Sequence, residues 1–207
     1  MPNTFFSSDS HFGHASVLKL TMERPRPFAS VEEHDETLVA AWNAVVRPTD
    51  IVWHLGDFAY RCDLAYAASI RARLNGRIRL IRGNHDELGE RLDWDGPVVD
   101  VLRVFVQDPG MPKPQAVWLS HYAHRTWPRE RHGDLHLYGH SHGSLPGTRT
   151  SLDVGVDCWD WAPVRLEQIL KRMAETSGQP PVGRDPGFPA RTCSIREERK
   201  APHPTHR

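Results

Sequence analysis

Short apolar runs alternate with amphipathic stretches along most of this chain. Thr4 to Ser7, Ile51 to Leu55, Ile78 to Arg82, Ala116 to Ser120 and Leu135 to Tyr138 are each four or five residues long and rich in β-branched, aromatic or leucine side chains. That composition and length predict five strands. Three helical patterns accompany them. Ser30 followed by Glu33 forms a capping box, and Leu38, Trp42, Val45 and Val46 then recur on one face that ends before Pro48. Asp63 caps a second helix whose Leu64, Ala67, Ala68, Arg71 and Leu74 share a stripe, with Asn75 and Gly76 to stop it. Pro163 suits a first helical turn ahead of Leu166, Ile169, Leu170 and Met173. Strands alternating with helices predict an α/β protein in which helices pack on sheets.

Polar clusters follow the apolar runs: Asp9-Ser10-His11, Gly56-Asp57, Gly83-Asn84-His85-Asp86, Ser120-His121-Tyr122 and Gly139-His140-Ser141-His142. Strands lying side by side would bring these clusters to one rim. If extended backbone continues through them, side chains two apart point the same way, which makes Asp9 with His11, and His140 with His142, ligand pairs. The glycines before Asp57, Asn84 and His140 permit sharp turns and close approach to an ion. Carboxylate, imidazole and amide oxygen suit zinc, manganese, iron or nickel, and none of the three cysteines joins the set. With two divalent ions, one bridging hydroxide, two carboxylates and neutral histidines, the centre keeps a charge of about +1 and attracts an anion. Two ions about 3.5 to 4 Å apart can activate a water and clamp the group it attacks, and phosphate esters match that chemistry best.

The order DSH, GD, GNHD, SH, GHSH, running from about Phe5 to about Leu170, resembles the calcineurin-like metallophosphoesterases. The resemblance implies two stacked mixed β-sheets flanked by α-helices, an αββα sandwich. It also implies a dinuclear metal-dependent phosphoester hydrolase, a phosphodiesterase or phosphatase acting on a nucleotide-like or other small phosphoester. By similarity, Asp9, His11 and His142 hold one divalent ion, Asn84, His121 and His140 the other, and Asp57 bridges them, with manganese favoured over iron, zinc or nickel. A metal-bridging hydroxide would attack phosphorus in line, Asn84 would help to stabilise the phosphoryl oxygens, and His85 would protonate the departing alkoxide. Asp86, where many relatives carry Glu, would either position His85 or cap the following turn. Gly56 to Arg61 lacks the acidic-arginine-glycine ending of the serine/threonine phosphatases and diadenosine polyphosphate hydrolases, which disfavours both activities. The runner-up is a nuclease like the one in double-strand-break repair. A reading from another class is a non-catalytic scaffold on the same fold, as in a retromer subunit. Scaffolds of that kind usually lack ligands, whereas all seven ligand positions and His85 are present here. A single-zinc hydrolase would need only three or four of these ligands.

Other residues carry weaker expectations. His14 and His124 are near enough to the motifs to contact substrate, with an ordinary loop role as the alternative. His54 reads as structural, and His34, His132, His136, His203 and His206 as unrelated to the metals. Arg125, Trp127, Arg129 and Arg131 form one candidate substrate patch, in which arginine can clamp phosphate and tryptophan can stack on a base. Arg24 and Arg26 form another, and a solvated loop is the alternative for both.

Composition bounds the rest. At 207 residues and 39% hydrophobic content the chain can bury one good core, assigned to residues 1–175. Six prolines in the last 32 residues, with scattered apolar positions, predict a disordered tail over residues 176–207 without catalytic duty. The balance of 26 basic and 26 acidic residues does not favour a protein that grips nucleic acid by bulk charge. No run of about 18 apolar residues offers a membrane span, and the N-terminus lacks a secretory signal. Three cysteines, at positions 62, 158 and 193, are odd in number and fit a reducing cytoplasm. Oligomeric state stays open.

Overall fold

In the computed structural model, which describes residues 2–19 and 25–176, β1 (Thr4–Ser7) runs parallel to β2 (Ile51–His54), and β2 parallel to β3 (Arg77–Leu80). The two crossovers carry α1 (Val31–Val45) and α2 (Leu64–Arg73). A second sheet contains β4 (Val101–Val106), β5 (Gln115–Ser120), β6 (Leu135–Tyr138) and β7 (Ser151–Asp153) in that spatial order. There β4 is antiparallel to β5, and the other pairs are parallel. The chain then returns through β8 (Val164–Arg165), antiparallel to β1, and enters α3 (Leu166–Glu175). The result is the expected α/β sandwich, two mixed four-stranded sheets with flanking helices.

The side chains explain the layering. Phe5, Val52 and Ile78 are register partners on one face of the first sheet, where they meet Leu38 and Trp42 of α1 and Ala67 and Ile70 of α2. The opposite face presents Phe6 and Trp53 to Val117, Leu119 and Leu137 of the second sheet, joined by Ile169 and Met173 of α3. Strands buried on both faces have little room for polar residues, which is why they read as continuous apolar runs. Phe6 is fully buried, and truncating it to Ala would cost about 3–5 kcal/mol. The C-terminal ends of the parallel strands in both sheets lead into the polar clusters, as ligand sites in α/β sheets commonly do.

Several local expectations need correction. The Ser30 hydroxyl accepts from Glu33 N at 3.2 Å, but the Glu33 carboxylate accepts from Ala29 N at 2.7 Å rather than from Ser30. Val45 is 41% exposed, because the buried row of α1 runs through Leu38 and Trp42 to Val46. In α2, Asp63 accepts from Tyr66 N at 2.6 Å as a cap, yet the buried row is Ala67, Ile70 and Leu74, with Ala68 facing solvent. Leu170 is likewise exposed on α3. Pro163 precedes β8 instead of opening α3, whose start is held by Arg165 N donating to Gln168 Oε1 at 3.0 Å. Three strands were not evident from the pattern. β4 is an edge strand that exposes Phe105, and β7 and β8 have only three and two residues. The expected proline-rich tail, Thr176 aside, lies outside the described residues, as do Arg24, Cys193, His203 and His206.

Candidate metal centre

The polar clusters do not continue the strands. Asp9, His11, Asp57, His140 and His142 have φ values of 57°, 51°, 57°, 64° and 47°, all in the left-handed region. Extended backbone with alternating side chains is therefore not what pairs Asp9 with His11 or His140 with His142. Turns do it. Each such conformation costs a non-glycine residue of order 1 kcal/mol or more and persists only where the surroundings hold it. Here Asp9 N donates to Gly56 O, His11 N to Asp57 O and Phe12 N to Phe58 O, each at 2.9 Å, so the two turns brace each other. At Gly56, with φ 101°, a Cβ would stand 2.6 Å from both Gly83 Cα and His121 Nδ1, so only glycine lets these segments close up.

The turns gather two groups of side chains. Asp9, His11 and His142 each offer a ligand atom, all within 4.8 Å of one another, and Asp57, His121 and His140 do the same. The Asp57 Oδ2 stands 3.6 Å from His11 Nε2 and 3.5 Å from His121 Nε2, so one carboxylate oxygen faces both groups. Asn84 joins the second group through its Oδ1, 2.9 Å from His121 Nε2.

These side chains fit divalent cations. The His121 Nδ1–H donates to the Leu55 carbonyl at 2.8 Å, which leaves Nε2 with its lone pair. That lone pair and the Asn84 Oδ1 then face one another, an arrangement that a cation relieves. Asp9 is wholly buried, and its carboxylate receives the His140 N–H at 2.9 and 3.1 Å. Burial pushes its carboxyl up to about 7. Burial also holds His11 well below the usual histidine range and lowers His140. Among the described residues, the buried His11 Nδ1 has no hydrogen-bond partner. Neutral imidazoles grouped with under-compensated carboxylates are the state that binds metal. His142 moves the other way. Burial alone would lower it, but its hydrogen bond to Asp157, 2.7 Å away, and the nearby Asp9 charge raise it overall.

The sequence model of the calcineurin-like phosphoesterase family matches residues 3–144, which contain every residue of both groups. The chain belongs to the calcineurin-like phosphoesterases. It is a metal-dependent phosphoesterase with two candidate metal sites. An uncharacterized protein of Methanocaldococcus jannaschii is 33% identical over 175 residues, covering 83% of this chain and 91% of its own length. The gene 66 protein of Mycobacterium phage L5 is 32% identical over 187 residues, covering 77% of this chain and 88% of that protein. A solved structure of a protein of unknown function from Aquifex aeolicus has the same fold, with a TM-score of 0.57, 23% identity and coverage of 83% of this chain and all of that one. Among the described residues, no helix of this phosphoesterase is long and apolar enough to cross a membrane.

Around the two groups, the remaining candidates separate. The half-buried His85 ring lies 4.1 Å from the Tyr60 ring, centroid to centroid, and 5.7 Å from that of His11, so it borders the centre. Its backbone N–H donates to Asp57 Oδ1 at 2.8 Å. His14 belongs to the same wall, edge-on to Tyr60 at 4.9 Å and 5.4 Å from His11. Asp86 neither reaches His85 nor caps the following turn. Its buried carboxylate accepts the backbone N–H groups of Asp57, Phe58 and Gly83 at 2.7 to 2.9 Å, clamping the exits of β2 and β3 together. His124 stacks on His136 at 5.0 Å and donates its backbone N–H to that ring, while Arg125 is exposed on the same loop. Trp127 is not a stacking platform. It is buried, with Nε1 donating to Asp134 O at 2.9 Å, and Arg129 approaches the Asp134 carboxylate at 3.8 Å. Arg26 is likewise no surface patch, being 4% exposed beneath the Asp9 turn. His54 is structural as expected, buried with Nε2 2.9 Å from the Ser10 hydroxyl. Two residues at the centre were not singled out from sequence. Tyr122, half exposed, packs on His140 at 4.6 Å and donates its hydroxyl to Asn84 Oδ1 at 3.3 Å, and its position next to His121 was the available signal. Asp157 carries no motif at all.

Proposed function

We propose that this phosphoesterase hydrolyses a small, nucleotide-like phosphoester with two divalent ions, manganese favoured. Asp9, His11 and His142 hold one ion, Asn84, His121 and His140 the other, and Asp57 is shared. The observation that carries this reading is the Asp57 Oδ2, placed almost equally far from a histidine of each group. When bound, the ions supply an activated water and neutralise charge on the phosphoryl group.

The chain's own residues do the rest. His85, held by its tilted ring contact with Tyr60 and its main-chain bond to Asp57, donates a proton to the departing oxygen. The Asn84 amide nitrogen and the Tyr122 hydroxyl, both at the second group, would donate to a phosphoryl oxygen held there. His14 and Tyr60 wall the side next to His11. A reducing cytoplasm suits Cys62 and Cys158, which stand as free thiols.

Metal analysis paired with hydrolysis of chromogenic phosphate monoesters and diesters in manganese tests the proposal. Two bound equivalents and turnover are expected. Bound metal without turnover in any divalent ion would point to a scaffold, and cleavage of DNA in preference to small esters would favour the nuclease.

A further inference from the structure

A buried polar network lies behind the first group, built on side chains outside the five motifs. Arg26 uses all five of its N–H donors there. Nε and one Nη2 hydrogen form a fork on Asp157, at 2.9 Å to Oδ1 and 2.7 Å to Oδ2. The other Nη2 hydrogen goes to the Asp9 carbonyl at 2.6 Å, and Nη1 serves the Ser10 carbonyl at 2.9 Å and His34 Nε2 at 2.8 Å. Arginine has five donors and no acceptor, so no polar capacity of the buried guanidinium is wasted. Because Arg26 can only donate, His34 accepts at Nε2, and its Nδ1–H goes to Asp35 Oδ1 at 2.6 Å. The other Asp35 oxygen accepts from Gly13 N at 2.8 Å and from the Tyr66 hydroxyl at 2.6 Å.

Asp157 connects this network to the centre, since its Oδ2 also accepts the His142 Nδ1–H at 2.7 Å. That bond fixes the tautomer. Nε2 keeps its lone pair and lies on the Asp9 side, 3.9 Å from Asp9 Oδ1. A carboxylate that takes the second N–H of a ligating histidine sets both its ring orientation and its basicity. Arg26 meanwhile ties down the carbonyl of Asp9, the residue whose left-handed turn aims the other ligand of the group. The guanidinium and the Asp157 carboxylate offset one another in charge.

We infer that Arg26 and Asp157 are positioning residues for one metal site only, orienting His142 and the Asp9 turn so that the first ion binds tightly while the second does not depend on them. This rests on the dinuclear reading above. Asp157 lies beyond the residues that the family match covers.

The test is manganese binding by calorimetry, together with metal content after gel filtration, for wild type, Asp157→Asn and Arg26→Lys. Wild-type protein binding fewer than two equivalents would sink the dinuclear reading itself, independently of the variants. Given two equivalents in wild type, Asp157→Asn should weaken one of them about 10- to 100-fold and leave the other unchanged. Arg26→Lys, which keeps the charge but loses the fork, should weaken the same equivalent. Circular dichroism of the chelated variants should match wild type. Two undisturbed equivalents in both variants, or equal weakening of both ions, would overturn the inference. So would failure of both chelated variants to fold, because the pair would then be holding the fold rather than the site.

Discussion

The two halves of the metal centre are supported in different ways. Asp9, His11 and His142 lean on side chains: a buried guanidinium from the segment before α1, a further histidine from α1 and a carboxylate from the turn after β7. Asp57, His121 and Asn84 lean on main chain, with the His121 ring on the Leu55 carbonyl and the loops around Asp57 and Gly83 clamped by Asp86. The first arrangement can be undone by one substitution without opening a strand. The second is built into the exits of β2 and β3, so disturbing it disturbs the sheet. Affinity at one site and stability of the fold should therefore respond to different mutations.

The largest effect is expected where the halves meet. Asp57→Asn should lose metal from both sites and at least about 10³-fold in rate, the equivalent of several kcal/mol of two-metal charge stabilisation. Metal content and kcat on a phosphodiester read it, and a variant that keeps both ions and full rate would remove Asp57 as the shared ligand. His85→Ala should keep both ions yet slow esters with poor leaving groups about 10²- to 10⁴-fold. Nitrophenyl esters, whose leaving group needs no proton, should suffer much less. Equal losses on both substrate types would deny His85 its proton.

Stability predictions sharpen the other side of the comparison. Asp86→Ala orphans three buried backbone N–H groups, those of Asp57, Phe58 and Gly83. At about 1–3 kcal/mol for each unsatisfied donor, the fold should lose about 3 kcal/mol or more in urea unfolding of chelated protein. A loss below about 1 kcal/mol would mean that the clamp is not what holds these loops. The smallest effect concerns His136, beneath the loop that follows His121. Burial holds this ring down to about 4, against 6.5 for a free histidine. Between those values the unfolded chain binds more protons than the folded one, so this residue makes stability fall as pH falls. Replacing it as His136→Gln should flatten the dependence by about 1.4 kcal/mol per pH unit in that window. Parallel stability curves for the two proteins would show that the ring is not held neutral.

Much of the frame was legible because it depends on neighbours in the chain. Short apolar runs such as Thr4 to Ser7 and Leu135 to Tyr138 are strands because both faces are buried, and burial on both faces leaves its mark residue by residue. Ser30 and Asp63 announced their helices because a cap acts over three residues. The ligand types were legible too, since histidine, aspartate and asparagine after glycine have few other reasons to recur at strand ends. What the sequence by itself determined is therefore the set of elements and the chemistry that their ends carry. Only the tertiary structure decided how the ends turn, through left-handed residues such as Asp9 and His140, a conformation uncommon outside glycine even though aspartate and histidine adopt it more readily than most. It alone revealed that Asp86 is a clamp, that Trp127 is buried, and that Arg26 meets Asp157 across 131 residues of chain. The physical reason is range: propensity and capping act between neighbours, whereas a buried charge finds its partner only after the sheets have brought distant segments into contact.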